Sequence, residues 1–590
     1  MTYSKYKDAP PLETVETIKN ILEDVGLNMV YKLKKRVDMV YSATLYDETG
    51  KWNTCGKGTD SYYCLASAYG ECIEHLCNHH AFDLHSLSKE AQEYLGFTRY
   101  VDEKILPLTE IKELSRDVYE DMRDSYYSIS KEYPSDEKLF KLWEKFLGNS
   151  KIGFVPFYSV RKNCTFFLPE IIISYLCGSN GGGAGNTPEE AIGHAADEIL
   201  ERFVKYYVYH NRLTPPVIPR EYIRKSCPDL LEIIEQIEKL EDTRIIVKDA
   251  SLGRGFSVVS VLMINKKNHS YLVNFGAHPS FPVALERCLT EILQSYDPSD
   301  HRKNKRKSMT VWNASPQRSE GTVKNWVSLL RDDSGIIPNS FFRKEPSWQF
   351  IPWAVIEDYS NKTGMKLQLK KLLELAPDVY IRDTGFLGFP TYTIYVPGIS
   401  TNHIPFDEEQ FYIWGMLKDL PRILGNPEEL SKEELEKLSE TMFNPKTYIS
   451  SLVFRSLSEA KSNALYAALL YDSGKIDEAI QILSEQDDSD CYCAAQMLIM
   501  QRFGESDNDD MVKLFFEEDC SEYALCWKNN CAFTNIIHKY MNYNMFPSYA
   551  LCNNTQEEIS KLYMRLKEKM VNWNKEQLEI ATVVDMVYLP

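Results

Sequence analysis

The chain has 590 residues, with 67 Lys and Arg against 85 Asp and Glu and a formal net charge of −18. This length predicts several domains, or one large domain with an appendage. The acidic balance argues against a general nucleic-acid binder, which needs a basic face. Apolar residues at 44% and charged residues at 26% are the proportions of a chain that buries a core, not of a disordered one. The opening MTYSKYKDAPP has no apolar stretch after its basic residues, so no signal peptide is expected. The longest apolar patches, such as IIISYL at 171–176, fall far short of the ~18 residues of a membrane span. The 14 cysteines form no paired framework and read as reduced thiols of a cytoplasmic protein.

The first 400 or so residues mix strand and helix signals. VDMVYSATLYD at 37–47 is β-rich, and residues 61–80 follow with a helical pattern. TRIIVKDA (243–250), FSVVSVLMI (256–264) and SYLVNFG (270–276) read as consecutive strands. FPVALERCLTEILQSY (281–296) is helical, and VYIRDTG (379–385) and TYTIYVPG (391–398) are the last clear strands. Strands followed by helices predict an α/β or α+β domain. After about residue 405 the β-branched alternation stops. PEELSKEELEKLSETM (427–442) is a charged helix, and residues 462–486 read as helix, tight turn at Gly474, helix. Ala464, Ala468 and Ala479 let two such helices pack closely, as in a tetratricopeptide unit, though no second copy recurs at a fixed period.

Three segments place glutamates on a helix beside a glycine or a strand end. In CGKGTDSYYCLASAYGECIEHLCNHH (55–80), Glu71 and Glu74 are three apart and share a face. In SNGGGAGNTPEEAIGHAADEILERFVKYY (179–207), a glycine loop from Gly181 to Gly185 opens a helix. Thr187 is its N-cap, Pro188 its first residue and Glu190 the second half of a capping box. Such a loop offers backbone N–H groups to an anion, but it lacks the Walker A pattern. Residues 190, 194, 197, 198 and 201 fall on one broad face of that helix, with Arg202 beside them. In FGAHPSFPVALERCLTEILQ (275–294), Arg287, Glu291 and Gln294 share a face. Taken singly, each is the solvated side of a surface helix. Taken together, convergent carboxylates with arginines suit Mg²⁺ bridged to a polyphosphate.

The set and order of these motifs resemble the YcaO superfamily over the whole chain: KDAPPLETV, CGKG…ASAYGECIEH, SNG…AGNT…DEILERFVK, DASLG, FGAHP…ALERCLTEILQ, YIRDTG…YTIYVPG and a helical tail. The resemblance implies an α/β YcaO-type ATP-binding domain over 1–405 and an all-α, tetratricopeptide-like domain over 406–590. It implies ATP and Mg²⁺ as cofactors, with Glu71, Glu198, Glu201 and Glu291 as metal ligands. Glu74 would support the nucleotide region, Arg202 and Arg287 would contact phosphates, and Asn186, Glu190 and the Gly183 backbone would line the nucleotide. Lys7 would close over it from the N-terminus. Family members that modify peptides phosphorylate a backbone amide oxygen so that a nucleophile can add to the carbon, so the resemblance implies an ATP-using, amide-activating enzyme; no catalytic residue is assigned.

Two positions depart from the family pattern. Glu74 is followed by His75 where Arg is usual, which would make a cation there depend on pH. Gly183 stands where a hydroxyl residue is found, removing one side-chain contact. The chain ends DMVYLP, without the proline-rich tail of azoline-forming members, and no leader-peptide-binding domain is visible. Both absences favour the branch linked to β-methylthiolation of an aspartate of a small-subunit ribosomal protein, as accessory factor to a radical-SAM methylthiotransferase. The alternatives are peptide-backbone thioamidation or azoline formation by a cyclodehydratase, and a non-catalytic ATP-gated adaptor. A protein or peptide substrate and a homodimer are expected; membrane association and direct nucleic-acid binding are not. The basic run HRKNKRK at 301–307 reads as a solvated loop or a contact with a phosphate-rich partner. His75 and His79 with Cys72 and Cys77 have a spacing that zinc accepts, but no CxxC partner accompanies them, and Cys491 and Cys493 read as a reduced structural pair.

Overall fold

The structure is a computed structural model. It describes residues 6–47, 53–79, 100–130, 132–239, 243–266, 270–295 and 337–402, and in the C-terminal part 423, 427–440, 443–444, 459–502, 523–527, 531–541 and 553–574. The basic run at 301–307 and the terminal DMVYLP lie outside the described residues. The chain divides into two compact units, one of residues 1–407 with 560–590 and the other of 408–559.

The first unit is α/β, and its described residues form three sheets. Helix α1 (Pro11–Asp24) leads into β1 (Met29–Val37), β2 (Val40–Asp47) and β3 (Asn53–Gly58), an antiparallel sheet in the order β1-β2-β3. Helix α2 (Ser61–Cys77) follows; its N-cap Asp60 accepts from the Tyr62 and Tyr63 amides at 2.8 and 2.9 Å. The largest sheet joins β4 (Lys104–Pro107), β5 (Lys151–Ser159), β6 (Cys164–Leu168) and β7 (Gly182–Ala184) to strands from much later in the chain. Helix α3 (Pro188–His210) is the long central helix. Strands β8 (Thr243–Asp249), β9 (Val258–Asn265) and β10 (Ser270–Ala277) form a second antiparallel meander, and α4 (Phe281–Ser295) packs on it. Helix α5 (Asn361–Leu375) lies along α3, and β11 (Tyr380–Asp383) and β12 (Thr391–Tyr395) complete the order β4-β5-β11-β12-β7.

The strands and helices expected at 243–250, 256–264, 270–276, 281–296 and 391–398 all form, with ends moved by a few residues. The expected helix at 61–80 stops at Cys77. Most of β1 was not expected: MVYKLKKRV alternates imperfectly and lies at a sheet edge with most of its side chains in water, so burial left little pattern to read.

The core beneath the site packs against the apolar side of α3. Ala191, Ile192, Ala195, Ala196, Ile199 and Leu200 pack with Leu262, Phe275, Met365, Leu369, Ile381 and Ile394. A second core joins β8 and β9 to α4 through Val247, Val261, Leu285, Leu289 and Ile292. These two cores hold α3 and α4 at fixed positions, and their polar faces are what remains for chemistry.

In the second unit, α6 (Glu459–Asp472) and α7 (Ile476–Ser484) form the expected hairpin, turned at Gly474 with φ +93°. Ala464, Ala468 and Ala479 are fully buried at their junction, as small residues at a close helix pair should be. The charged segment 427–442 forms a short 3₁₀ turn at Pro427–Glu429 and a helix over Lys432–Glu440. The last helix, α8 (Asn553–Asn574), was placed by sequence in the tail, but its C-terminal half belongs with the first unit. There Arg565 Nε donates to the Val25 carbonyl at 2.5 Å, Lys569 pairs with Asp24, and Trp573 meets Phe386 edge-on. The two cations satisfy and neutralise the C-terminal end of α1. Among the described residues no helix is long and apolar enough to cross a membrane.

Gly56 shows how tightly β3 and α2 meet. A Cβ there would stand 2.2 Å from the Cys64 carbonyl oxygen and 2.7 Å from the Ala68 Cβ. Gly56→Ala is therefore expected to cost about 1–3 kcal/mol, as overpacking against backbone does; urea unfolding measures it, and an unchanged midpoint would show that β3 is free to shift.

Candidate functional site

Three helices and one strand deliver charged side chains to one place. From α2 come Glu71 and Glu74, from α3 Asp197, Glu198, Glu201 and Arg202, and from α4 Arg287 and Glu291. β3 adds Lys57, which the sequence reading quoted within CGKG but gave no role. Gly56 and Gly58 on either side of it face α2, where a Cβ would touch Cys64 backbone, so the alternation of a strand sends Lys57 away from that contact and into ion pairing with Glu291 of α4.

The expected metal carboxylates stand close enough to perturb one another. Burial pushes Glu71 up to about 7, with Lys57 opposing and Glu198 adding to the rise. Burial likewise pushes Glu201 up to about 7, against the pull of Lys205 and Lys57. Burial, then Glu198 and Glu71, hold Glu74 well above the usual carboxylate range. Burial lowers Lys57, opposed by the attraction of Glu201 and Glu71. Arg202 pairs with Glu198 at 2.7 Å. Lys57 and Glu291 keep 31% and 38% of their side-chain surface in solvent while Asp197 keeps 4%, so the cluster is wet at one end and closed at the other. Among the described residues no three His, Cys, Asp or Glu side chains form a finished metal-ligand set. The carboxylates are gathered instead around protein cations.

That arrangement fits a hard divalent cation in its donor chemistry. The donors are carboxylate oxygens, they outnumber Lys57, Arg202 and Arg287, and desolvation already raises the proton affinity of three of them. The described zinc candidates do not fit. Cys72 and Cys77 are buried, and burial holds both thiols up, Cys77 to about 12. Cys491 and Cys493 are buried cysteines outside any disulfide, in a helix of the second unit.

The residues expected to line the nucleotide gather at the N-terminus of α3. Thr187 caps it, accepting from the Glu190 amide at 3.2 Å. The Glu190 carboxylate receives Lys7 Nζ at 2.9 Å, the Asp8 amide at 3.1 Å and Asn186 Nδ2 at 3.1 Å. Those donors outweigh its burial and hold Glu190 below its ordinary value. Asn186 in turn accepts from Thr14 of α1 at 2.7 Å. The segment 6–14 is thus strapped across the start of α3 through Lys7, Asp8 and Thr14.

Two expectations require correction. The glycine segment is not an open anion loop: Gly182–Ala184 is strand β7, paired with β12, and the Gly182 and Gly185 amides donate to Ser179 and Pro390 carbonyls. Gly183 is there for packing, because a Cβ would stand 2.4 Å from the Ala191 carbonyl oxygen. His75 supplies no pH-dependent cation near neutrality. Burial, assisted by Arg202, lowers it to about 4, so it is neutral there.

Sequence reasoning also missed the link between the two ends of the site. Arg287 Nη1 donates to Asp197 at 3.0 Å and to the Ala277 carbonyl at 2.7 Å. Asp197 also accepts from Gln368 of α5, and the Ala277 amide donates to Glu201 at 3.3 Å. Beside them His278 accepts the Ser280 amide at Nδ1, meets the Tyr359 hydroxyl at Nε2 across 3.0 Å, and has Tyr6 edge-on at 5.4 Å. No periodicity announces the longer of these contacts, since Arg287–Asp197, Gln368–Asp197 and Ala277–Glu201 join residues 90, 171 and 76 positions apart. They alter one expectation: removing Arg287 leaves the buried Asp197 short of a cation, at a cost of about 3 kcal/mol or more, so Arg287→Ala is a stability variant as well as a binding one.

Together these residues define an α/β protein that gathers carboxylates and arginines in one cluster, and the sequence assigns its class. The chain belongs to the YcaO family: the family described as YcaO cyclodehydratase, ATP- and Mg²⁺-binding, matches residues 55–400. It is similar, at 30% identity over 414 residues, to the Escherichia coli (strain K12) protein named ribosomal protein S12 methylthiotransferase accessory factor YcaO, across 68% of this chain and 66% of that one. A Haemophilus influenzae protein matches at 30% over 409 residues with the same coverage. The chain therefore spans just under two thirds of the length of these curated relatives. Among solved structures, a heterocyclase in complex with substrate and cofactor aligns with a TM-score of 0.44 at 16% identity, over 67% of this chain and 53% of that one. YcaO from Methanopyrus kandleri bound with AMPPCP and Mg²⁺ aligns with a TM-score of 0.43 at 16% identity, over 68% and 93%. ATP and Mg²⁺ are the cofactors of this family.

The raised carboxylates set a pH dependence. At pH between about 4.5 and 7 the folded, metal-free protein keeps protons on Glu71 and Glu201 that the unfolded chain has released. The folded state binds more protons there, so these groups make stability fall as pH rises through that window. Melting in EDTA is expected to give a lower Tm at pH 8 than at pH 6 from this source, and the Glu71→Gln, Glu201→Gln double variant is expected to show a shallower fall. Equal slopes would remove the assignment.

Proposed function

We propose that this chain is an ATP- and Mg²⁺-dependent protein that activates an amide or carboxylate oxygen of a protein substrate, and that it serves as accessory factor in β-methylthiolation of an aspartate of a small-subunit ribosomal protein. The observation that carries the chemistry is the convergence of Glu71, Glu74, Glu198, Glu201 and Glu291 from three helices on a cleft edged by Arg202 and Arg287. What supports the substrate is the 30% identity, over 414 residues, to the S12 methylthiotransferase accessory factor.

In this reading Glu71, Glu198, Glu201 and Glu291 hold Mg²⁺. Bound Mg-ATP supplies an electrophilic phosphoryl group whose charge the metal shields. The protein's part is positional. Arg202 and Arg287 present fixed positive charge to phosphate oxygens. Glu190, Asn186 and Lys7 line the nucleoside end, with the backbone at Gly183 behind them. Glu74 sits behind the metal carboxylates, and its neutral form adds no repulsion. The helical tail, read as tetratricopeptide-like, docks a protein partner such as the radical-SAM methylthiotransferase, and a homodimer belongs to the same proposal. The family's description as a cyclodehydratase supports a second reading, azoline formation or backbone thioamidation on a peptide.

Calorimetric titration of ATP with Mg²⁺ is expected to show binding to wild type that weakens roughly 100-fold or more in Glu198→Ala, since even outer-shell partners of metal ligands are worth about 10- to 100-fold. Equal affinities would sink the site. The substrate is tested by intact-mass spectrometry of the ribosomal protein from cells lacking the gene. The β-methylthio group is expected to diminish there and return with wild type but not with Glu198→Ala. Retention of the full modification would pass the case to the peptide-modifying reading.

A further inference from the structure

Lys57 stands where its role is not explained by packing. The strand carrying it is pressed onto α2 by Gly56 and Gly58, and its side chain crosses to pair with Glu291 of α4. Its electrostatic partners there are Glu201, Glu71 and Glu198, with Arg287 opposing. These four carboxylates, Glu71, Glu198, Glu201 and Glu291, come from three different helices and are the ones assigned to the metal. A lysine paired with Glu291 and within electrostatic reach of the other three neutralises part of a charge that would otherwise drive the helices apart. It also competes for the position of any cation that follows. An ammonium on a flexible four-carbon stem can leave, but it is strongly hydrated and needs an anionic partner wherever it goes.

We propose that Lys57 is the resident counterion of the carboxylate cluster and that it makes divalent-cation binding conditional on nucleotide. Free Mg²⁺ must take over the carboxylates that Lys57 neutralises, and it brings no anion to replace them. Nucleotide brings phosphate oxygens together with the metal, so the displaced ammonium gains a partner as it loses Glu291. The lysine therefore opposes binding of the metal alone and favours binding of metal and nucleotide together. This positive coupling requires two ligands and one side chain with different partners in the two states. The inference rests on the Mg-nucleotide reading of the cleft and adds a regulatory part to it.

The test uses the full chain and Mn²⁺ as an electron-paramagnetic probe, without nucleotide. Wild type is expected to bind Mn²⁺ weakly, and Lys57→Met at least about tenfold more tightly, because a positive charge has been removed from the site. Lys57→Arg, which retains the charge, is expected to stay as weak as wild type. Titration of Mg-ATP is expected to run the other way, with Lys57→Met weaker than wild type by about tenfold. A melting curve in EDTA shows whether Lys57→Met is folded, and Lys57→Gln serves as a second neutral variant where it is not. Mn²⁺ affinity unchanged in the neutral variants, while wild type binds Mg-ATP, would overturn the counterion role alone. Failure of wild type to bind Mg-ATP at all would overturn both the role and the reading beneath it.

Discussion

Carboxylates crowded together out of bulk water are the constraint around which this fold is organised. Burial raises Glu71, Glu74 and Glu201 above the usual carboxylate range, and the charge of the neighbouring Glu198 adds to each rise. A chain gains nothing in stability from such a cluster. It persists because the apolar backs of the same helices are held in cores that tolerate it. Ile192, Ala195, Ala196 and Ile199 bury one side of α3, while Leu285, Leu289 and Ile292 bury one side of α4. The repulsion is then relieved locally, by Lys57 on Glu291, Arg202 on Glu198 and Arg287 on Asp197.

The same arrangement explains why the site joins distant parts of the chain. Segment 6–14 straps the start of α3 through Lys7, Asp8 and Thr14, so this segment is held by Glu190 and Asn186. Arg287 is shared between the Ala277 carbonyl and Asp197, which ties the end of β10 to the middle of α3. Gln368 brings in α5. A cation or anion entering the cleft would therefore act on elements from across the first unit at once.

The second unit shows a simpler economy. Its helix pair α6 and α7 is packed through alanines, and Trp527, Phe533 and Tyr523 fill the remaining core. Its described core is built of apolar contacts, with no carboxylate cluster of the kind found in the first unit. This division separates a unit built around charge from one built around apolar packing.

The sequence by itself determined the α/β character of the first part, the helical texture after about residue 405, and which helix faces carry glutamate. These are local matters: a period of 3.6 puts Glu198 and Glu201 on one face wherever α3 is placed, and Thr187 caps it through bonds three residues long. Only the tertiary structure decided what those faces meet. It converted the glycine loop into β7, because pairing with β12 uses the amides that an anion would have used. It made His75 neutral, because burial beside Arg202 outweighs the histidine's own preference. It placed Lys57 among the carboxylates and Asp197 on Arg287, pairings separated by 234 and 90 residues that no local pattern encodes. Charge, unlike helix period, is a property of neighbours in space, and the neighbours exist only once the chain has folded.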